Sequence, residues 1–316
     1  MGVTSWMLRH TAPRPLVLTA PGGTEQRLAV ERHARERGWR LARSPAEANV
    51  LVVAGGGLEP YATRVWQAIP APRVRVEVAA DVPAALTAAV AMLRDAGEQR
   101  KQAESLLTTQ EHEGAHEHAA MAHGGHDHHM AGMEMPGGVP MADRAPDRDG
   151  LMLDQLHVPL GPALPLWPPG LIVHTRLQGD VIQDASAELT GTDDFWPRHP
   201  VARRLDAAAC LLALTGWADA AATARLLRDA ALAGDLAEAP RRRWATRVRR
   251  SRTLRWLLTG VGRAETGDAQ DRLHRWLDLD DPDTTPVDDL PDLLAGTELA
   301  TARLLIASLD LGVRHG

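Results

Sequence analysis

One cysteine, Cys210, stands in 316 residues. A lone thiol excludes a disulfide framework, and it excludes a cysteine-ligated iron–sulfur cluster held by this chain alone. Phenylalanine and tyrosine are nearly absent, at one each, against nine tryptophans. No stretch of about 18 uncharged apolar residues occurs, so no transmembrane segment is expected. The opening residues, MGVTSWMLRHTAPRP, lack the apolar core of a signal peptide, which points to the cytoplasm. A net charge of −6 gives no reason to expect nucleic acid as a partner, although Arg241 to Arg255 is locally basic. That run suits acidic lipid headgroups, an acidic partner subunit, or a solvated helix face balanced by the chain's own Asp-rich loop.

The remaining composition, 44% hydrophobic and 24% charged, is that of a soluble globular protein. The length suits two domains, each with its own core. Residues 1–107 read as a small α/β domain. PLVLTA (15–20) is a buried-type strand, and Thr24 is placed to N-cap a helix running to about Gly38. Val50 to Ala54 gives a second strand, Tyr61 to Ala68 a helix, and Val74, Val76 and Val78 a third strand. A helix from Pro83 to about Leu107 closes the unit. Strands alternating with helices predict a small parallel sheet, half of a flavodoxin-like arrangement. Gly22-Gly23 and Gly55-Gly56-Gly57 sit at strand ends, where such folds bind phosphates or cofactors, but neither forms a nucleotide fingerprint.

Residues 108–150 read as a flexible linker of unusual chemistry. They carry His112, His116, His118, Met121, His123, His126, His128, His129, Met130, Met133 and Met135. Imidazole suits Cu(II), Ni(II) and Zn(II), and thioether sulfur selects Cu(I), so copper, nickel or zinc can bind such a tract. The alternative is a solvated tether of drifting composition. Residues 151–316 read as a β-meander leading into a helical bundle. Leu156, Val158 and Leu160 alternate with polar neighbours, Leu171 to Leu177 gives a second strand, and Gly179-Asp180 turns into a third from Val181. Helices are expected from His199-Pro200 to Leu214, from Ala218 to Ala233, from Pro240 to Gly260, over 268–277, and from about Pro291 to Leu311. The overall class is α/β followed by α+β.

Two stretches resemble subunits of one known assembly. Ser44, Pro45, Ala48, Val50, Val53, Gly55, Pro70, Pro72, Arg73 and Val76 resemble, in order, the cluster-carrying small subunit of respiratory complex I. Gly161, Pro162, Pro165, Gly170, Leu171, Gly179, Asp180, Val181 and Ile182 resemble the opening of its quinone-site subunit and of the large subunit of nickel-iron hydrogenases. The helix carrying AAACLLAL and the segment Arg252 to Gly262 resemble the same large subunit. The resemblance implies a fused pair of subunits, partnered by other subunits of a complex I- or hydrogenase-like membrane assembly. It also implies NADH:quinone oxidoreductase-type chemistry, which the departures oppose. The family's cluster ligands fall where Ala20-Pro21 and Ala79-Ala80 stand, and its quinone-facing histidine falls at Leu164. His157, His174 and His199 remain near the meander. Cys210 reads as a small core residue.

The leading expectation is therefore a non-catalytic structural subunit without an iron–sulfur cluster. A metal carrier or assembly factor using the His/Met tract is the alternative, and a quinone-using subunit the third.

Overall fold

A computed structural model describes residues 3–104, 144–146, 150–191, 193–280 and 284–312. After α1 (Val3–Arg9), the strands β1 (Pro15–Thr19), β2 (Val50–Ala54) and β3 (Val74–Val78) form a parallel sheet in that order. Leu16 lies opposite Leu51, and Val52 opposite Val76. Helices α2 (Thr24–Glu36) and α3 (Glu59–Ala68) make the crossovers. Val30 of α2 and Leu86 of α4 (Val82–Arg94) pack with Val52, while Ala62 and Val65 of α3 pack with Leu51 and Val53. Sandwiched from both sides, β2 is buried along its whole length, which is why it is an unbroken apolar run rather than an alternating one.

The single helix expected from Pro83 to about Leu107 is instead interrupted at Asp95. The Asp95 carboxylate accepts the N–H groups of Gly97 (2.7 Å) and Glu98 (3.0 Å). It thereby caps a new helix, α5 (96–104), by the usual competition of a short acidic side chain with the helix backbone.

The second half holds an antiparallel sheet of β4 (Arg144–Pro146), β5 (Met152–Leu160), β6 (Leu171–Gln178) and β7 (Val181–Leu189). Its β4 lies within the stretch expected as linker and pairs with Met152 to Asp154 of β5. Period-two alternation sorts the faces. Leu171, Val173, Leu177 and Ile182 turn inward onto Leu290 and Leu294 of α11 (Leu290–Leu294) and Leu305 and Ile306 of α12 (Leu299–Ala307). His157, His174, Arg176 and Asp184 occupy the opposite face.

A separate core joins α6 (Pro200–Leu214), α7 (Ala218–Ala233), α8 (Glu238–Arg249), α9 (Arg252–Leu258) and α10 (Ala269–Asp278). Leu205, Leu212, Ala224, Trp244, Leu258 and Trp276 are buried there. The indole N–H of Trp244 donates to the Ala220 carbonyl at 3.0 Å.

The helix expected from Pro240 to Gly260 divides at Arg250-Ser251, where the Ser251 hydroxyl accepts the Leu254 N–H at 3.3 Å and starts α9. The last expected helix also divides, because residues 296–298 leave it to pair with β7. Gly296 N–H donates to Ile182 O (2.8 Å), and Ile182 N–H donates to Thr297 O (2.9 Å). Two short strands, β8 (Thr284–Pro286) and β9 (Asp310–Gly312), pair in parallel and were not expected.

Candidate functional site

Ligands of open parallel sheets bind beyond the C-terminal ends of the strands. Those ends lie here at Ala20–Gly23 and Gly55, and the chain's second half is packed against them. Ala20 is fully buried and donates its N–H to Ala54 O at 2.8 Å. A methyl at Gly23 would collide with that same Ala54 carbonyl, so glycine is required here for close packing. Pro21 meets Gly170 and Gly191 of the meander. Gly170 is in the left-handed region (φ 76°), and a Cβ there would sit 2.6 Å from the Pro21 ring. Ala163, in the loop between β5 and β6, packs, like Tyr61 and Trp66, onto the core between the parallel sheet and α3.

A helix N-terminus attracts an anion. At the start of α2 the chain supplies its own, since the Thr24 hydroxyl donates to the Asp193 carboxylate. The other Asp193 oxygen accepts the Phe195 N–H at 2.9 Å, which fixes the acid on its loop. Gly23 is the N-cap and Thr24 the first helical residue, one position later than the N-cap role expected for Thr24.

Behind this edge, α2 meets α6 and α7 through a buried ionic cluster. Arg27 reaches Glu31 and Asp206, each at 2.7 Å. Arg228, with no exposed surface, reaches Glu31 (2.7 Å), Asp206 (2.6 Å) and Asp229 (2.9 Å). Arg35 pairs with the other oxygen of Asp229. Three arginines thus face three carboxylates, so the charges balance and most of their hydrogen-bonding groups have partners. This is the condition under which burying charge is tolerated. Burial opposes ionisation of Asp206 and Glu31, but the adjoining Arg27 and Arg228 outweigh it. The Asp206 carboxyl falls to about 2, and that of Glu31 also drops. Cys210, one turn along α6 from Asp206, is pushed up to about 12, first by burial and then by the Asp206 charge.

The residues expected from the sequence to hold metal, His112 through Met135, lie outside the described residues. His157 and His174 line a shallow groove of about 330 Å³ on the outer face of the meander. His174 Nε2 stands 3.8 Å from Glu188 Oε1, with both side chains 58% exposed. His199 precedes α6, its ring centroid 4.6 Å from that of Phe195. Among the described residues, no group of three or more His, Cys, Asp or Glu is arranged to hold a metal ion.

The positions at which the resemblance would place cluster ligands do not fit a cluster. Ala20 and Pro21 are packed as above and carry no ligating atom, while Ala79 and Ala80 are exposed methyls. Arg73, the conspicuous residue of the PAPR turn, closes α3. It donates to the carbonyls of Trp66, Gln67 and Ile69 and lies over the Trp66 ring, 4.3 Å from its centroid. That is favourable placement of a cation at a helix C-terminus.

The ionic cluster was missed from sequence. Its local traces are Arg27, Glu31 and Arg35 spaced four apart on α2, one aspartate within the apolar face of α6, and one arginine within that of α7. No protein-family model, curated protein or solved structure matches the chain.

Proposed function

We propose that this chain is a structural, non-catalytic subunit of a complex I- or hydrogenase-like membrane-associated assembly. In this reading it keeps the packing of two redox subunits without their clusters and quinone ligands. One observation carries the reading: the strand-end edge where cofactors of such folds bind is filled by the chain's own Pro21, Gly170, Gly191 and Asp193. The buried cluster joining α2 to α6 and α7 supports it, because it holds the two halves together as a platform. Among the described residues no helix is long and apolar enough to cross a membrane, so attachment would run through partner subunits or a surface contact.

The composition of the His/Met tract favours a second role, a copper, nickel or zinc carrier for which the two domains are the docking platform. A chain lacking 111–135 separates the two. A scaffold recovers the same partner subunits from the native host with and without the tract, whereas a carrier loses its function and its metal. A quinone-using subunit predicts a rise in thermal midpoint with a soluble quinone, and the filled edge predicts none.

A further inference from the structure

The outward side of α9 carries charge that no described residue pairs with. Arg252, Arg255, Trp256 and Thr259 fall at i, i+3, i+4 and i+7, on one side of the helix, while Leu254 and Leu258 face the core. Of the arginines before α9, Arg242 meets Glu238, Arg247 meets Asp219 and Arg249 meets Asp278, while the exposed Arg243 has no ion-pair partner among the described residues. Arg250, Arg252 and Arg255 are exposed and have no ion-pair partner among the described residues. Trp256, one turn along from Arg252 on the same side, is 81% exposed, the most exposed large hydrophobic side chain among the described residues.

We infer that this stripe docks on an anionic phospholipid bilayer. An indole has an apolar body and a polar N–H, and it settles at the headgroup level of a membrane. Arginine forks beside it suit the phosphate oxygens of the headgroups. A protein partner would be expected to surround a buried tryptophan with apolar contacts at the centre of an interface. The neighbours of Trp256 on the helix surface are instead Arg252, Thr253, Thr259 and Gly260, all exposed and none of them apolar and large. Charge complementarity therefore selects a flat anionic surface, with Trp256 as a shallow anchor.

Co-sedimentation with vesicles of phosphatidylcholine, alone or with phosphatidylglycerol, tests this on the purified full chain. Vesicle binding needs no partner subunit, so its failure leaves the subunit role standing. The expected result is binding to phosphatidylglycerol vesicles only, weakened by salt. Partitioning should fall roughly fivefold for each of Arg252→Gln and Arg255→Gln. Binding should also bring a blue shift in tryptophan emission that Trp256→Ser abolishes. These side chains are solvent-facing, and circular dichroism checks that each variant is folded. Equal binding to neutral vesicles, no binding to anionic ones, or variants that bind like the wild type would overturn the inference. Binding to polyglutamate but not to vesicles would also overturn it, in favour of an acidic protein partner.

Discussion

Replacing Asp206 with asparagine keeps the side-chain volume and removes one negative charge from a neutral buried cluster. The acid receives Arg27 at 2.7 Å and Arg228 at 2.6 Å, and these contacts hold its pKa at about 2, against an ordinary 3.8. A lowering of that size corresponds to about 2 kcal/mol of folding free energy at neutral pH. Removing one partner of a buried pair outright costs roughly 3–5 kcal/mol. An asparagine carbonyl still accepts one hydrogen bond, so the expected loss for Asp206→Asn is about 2–4 kcal/mol.

The pH dependence has a defined sign. The folded pKa lies below the unfolded one, so the contribution is complete above the unfolded value and is lost as pH falls through the folded value. The gap between wild type and Asp206→Asn should therefore be full at pH 6–7 and shrink mainly between about pH 4 and pH 2. Urea unfolding followed by circular dichroism and tryptophan emission measures it. In the variant the two probes should also separate, because the cluster couples the halves. A change below about 0.5 kcal/mol at pH 7, the size of an ordinary surface substitution, would refute the view that this cluster holds α2 to α6 and α7.

Two further outcomes follow from local geometry. With its thiol pushed up to about 12, Cys210 should react with iodoacetamide at pH 8 at least about tenfold more slowly than a small free thiol. Mass spectrometry of timed samples checks this, and fast labelling of folded protein would contradict it. Gly170→Ala should lose about 1–3 kcal/mol, because the methyl meets both a left-handed backbone and the Pro21 ring. The control Gly56→Ala, where a methyl meets open space, should stay within about 0.5 kcal/mol by thermal unfolding.

Much of the fold was legible because its signals are local. The apolar run Val50 to Ala54 forms a strand buried on both faces. The helices expected at Pro200 to Leu214 and at Ala218 to Ala233 occupy those spans, each followed by a left-handed glycine, Gly216 and Gly234. The failures share a cause. Asp95 and Ser251 sit within helix-compatible periodicity, and only their side-chain caps reveal that one helix stops and another begins. Residues 296–298 leave a helical pattern to satisfy Ile182 on β7, more than a hundred positions earlier.

The candidate site was less legible still. Asp193 comes to the start of α2 from 169 residues away, and Arg228 meets Glu31 across 197. No window of sequence contains both partners. The glycines at the strand ends were visible, but whether they cradle a ligand or admit a neighbouring segment depends on what the second half places against them.

The most direct test of the central claim is purification of the tagged chain from its native host under mild conditions, with identification of the recovered proteins and metal analysis. The structural-subunit account predicts recovery with the cluster- or quinone-bearing subunits of a membrane assembly, in fixed proportion and unchanged when 111–135 is deleted. Recovery of the chain alone, with near-stoichiometric copper, nickel or zinc that disappears on that deletion, would contradict it.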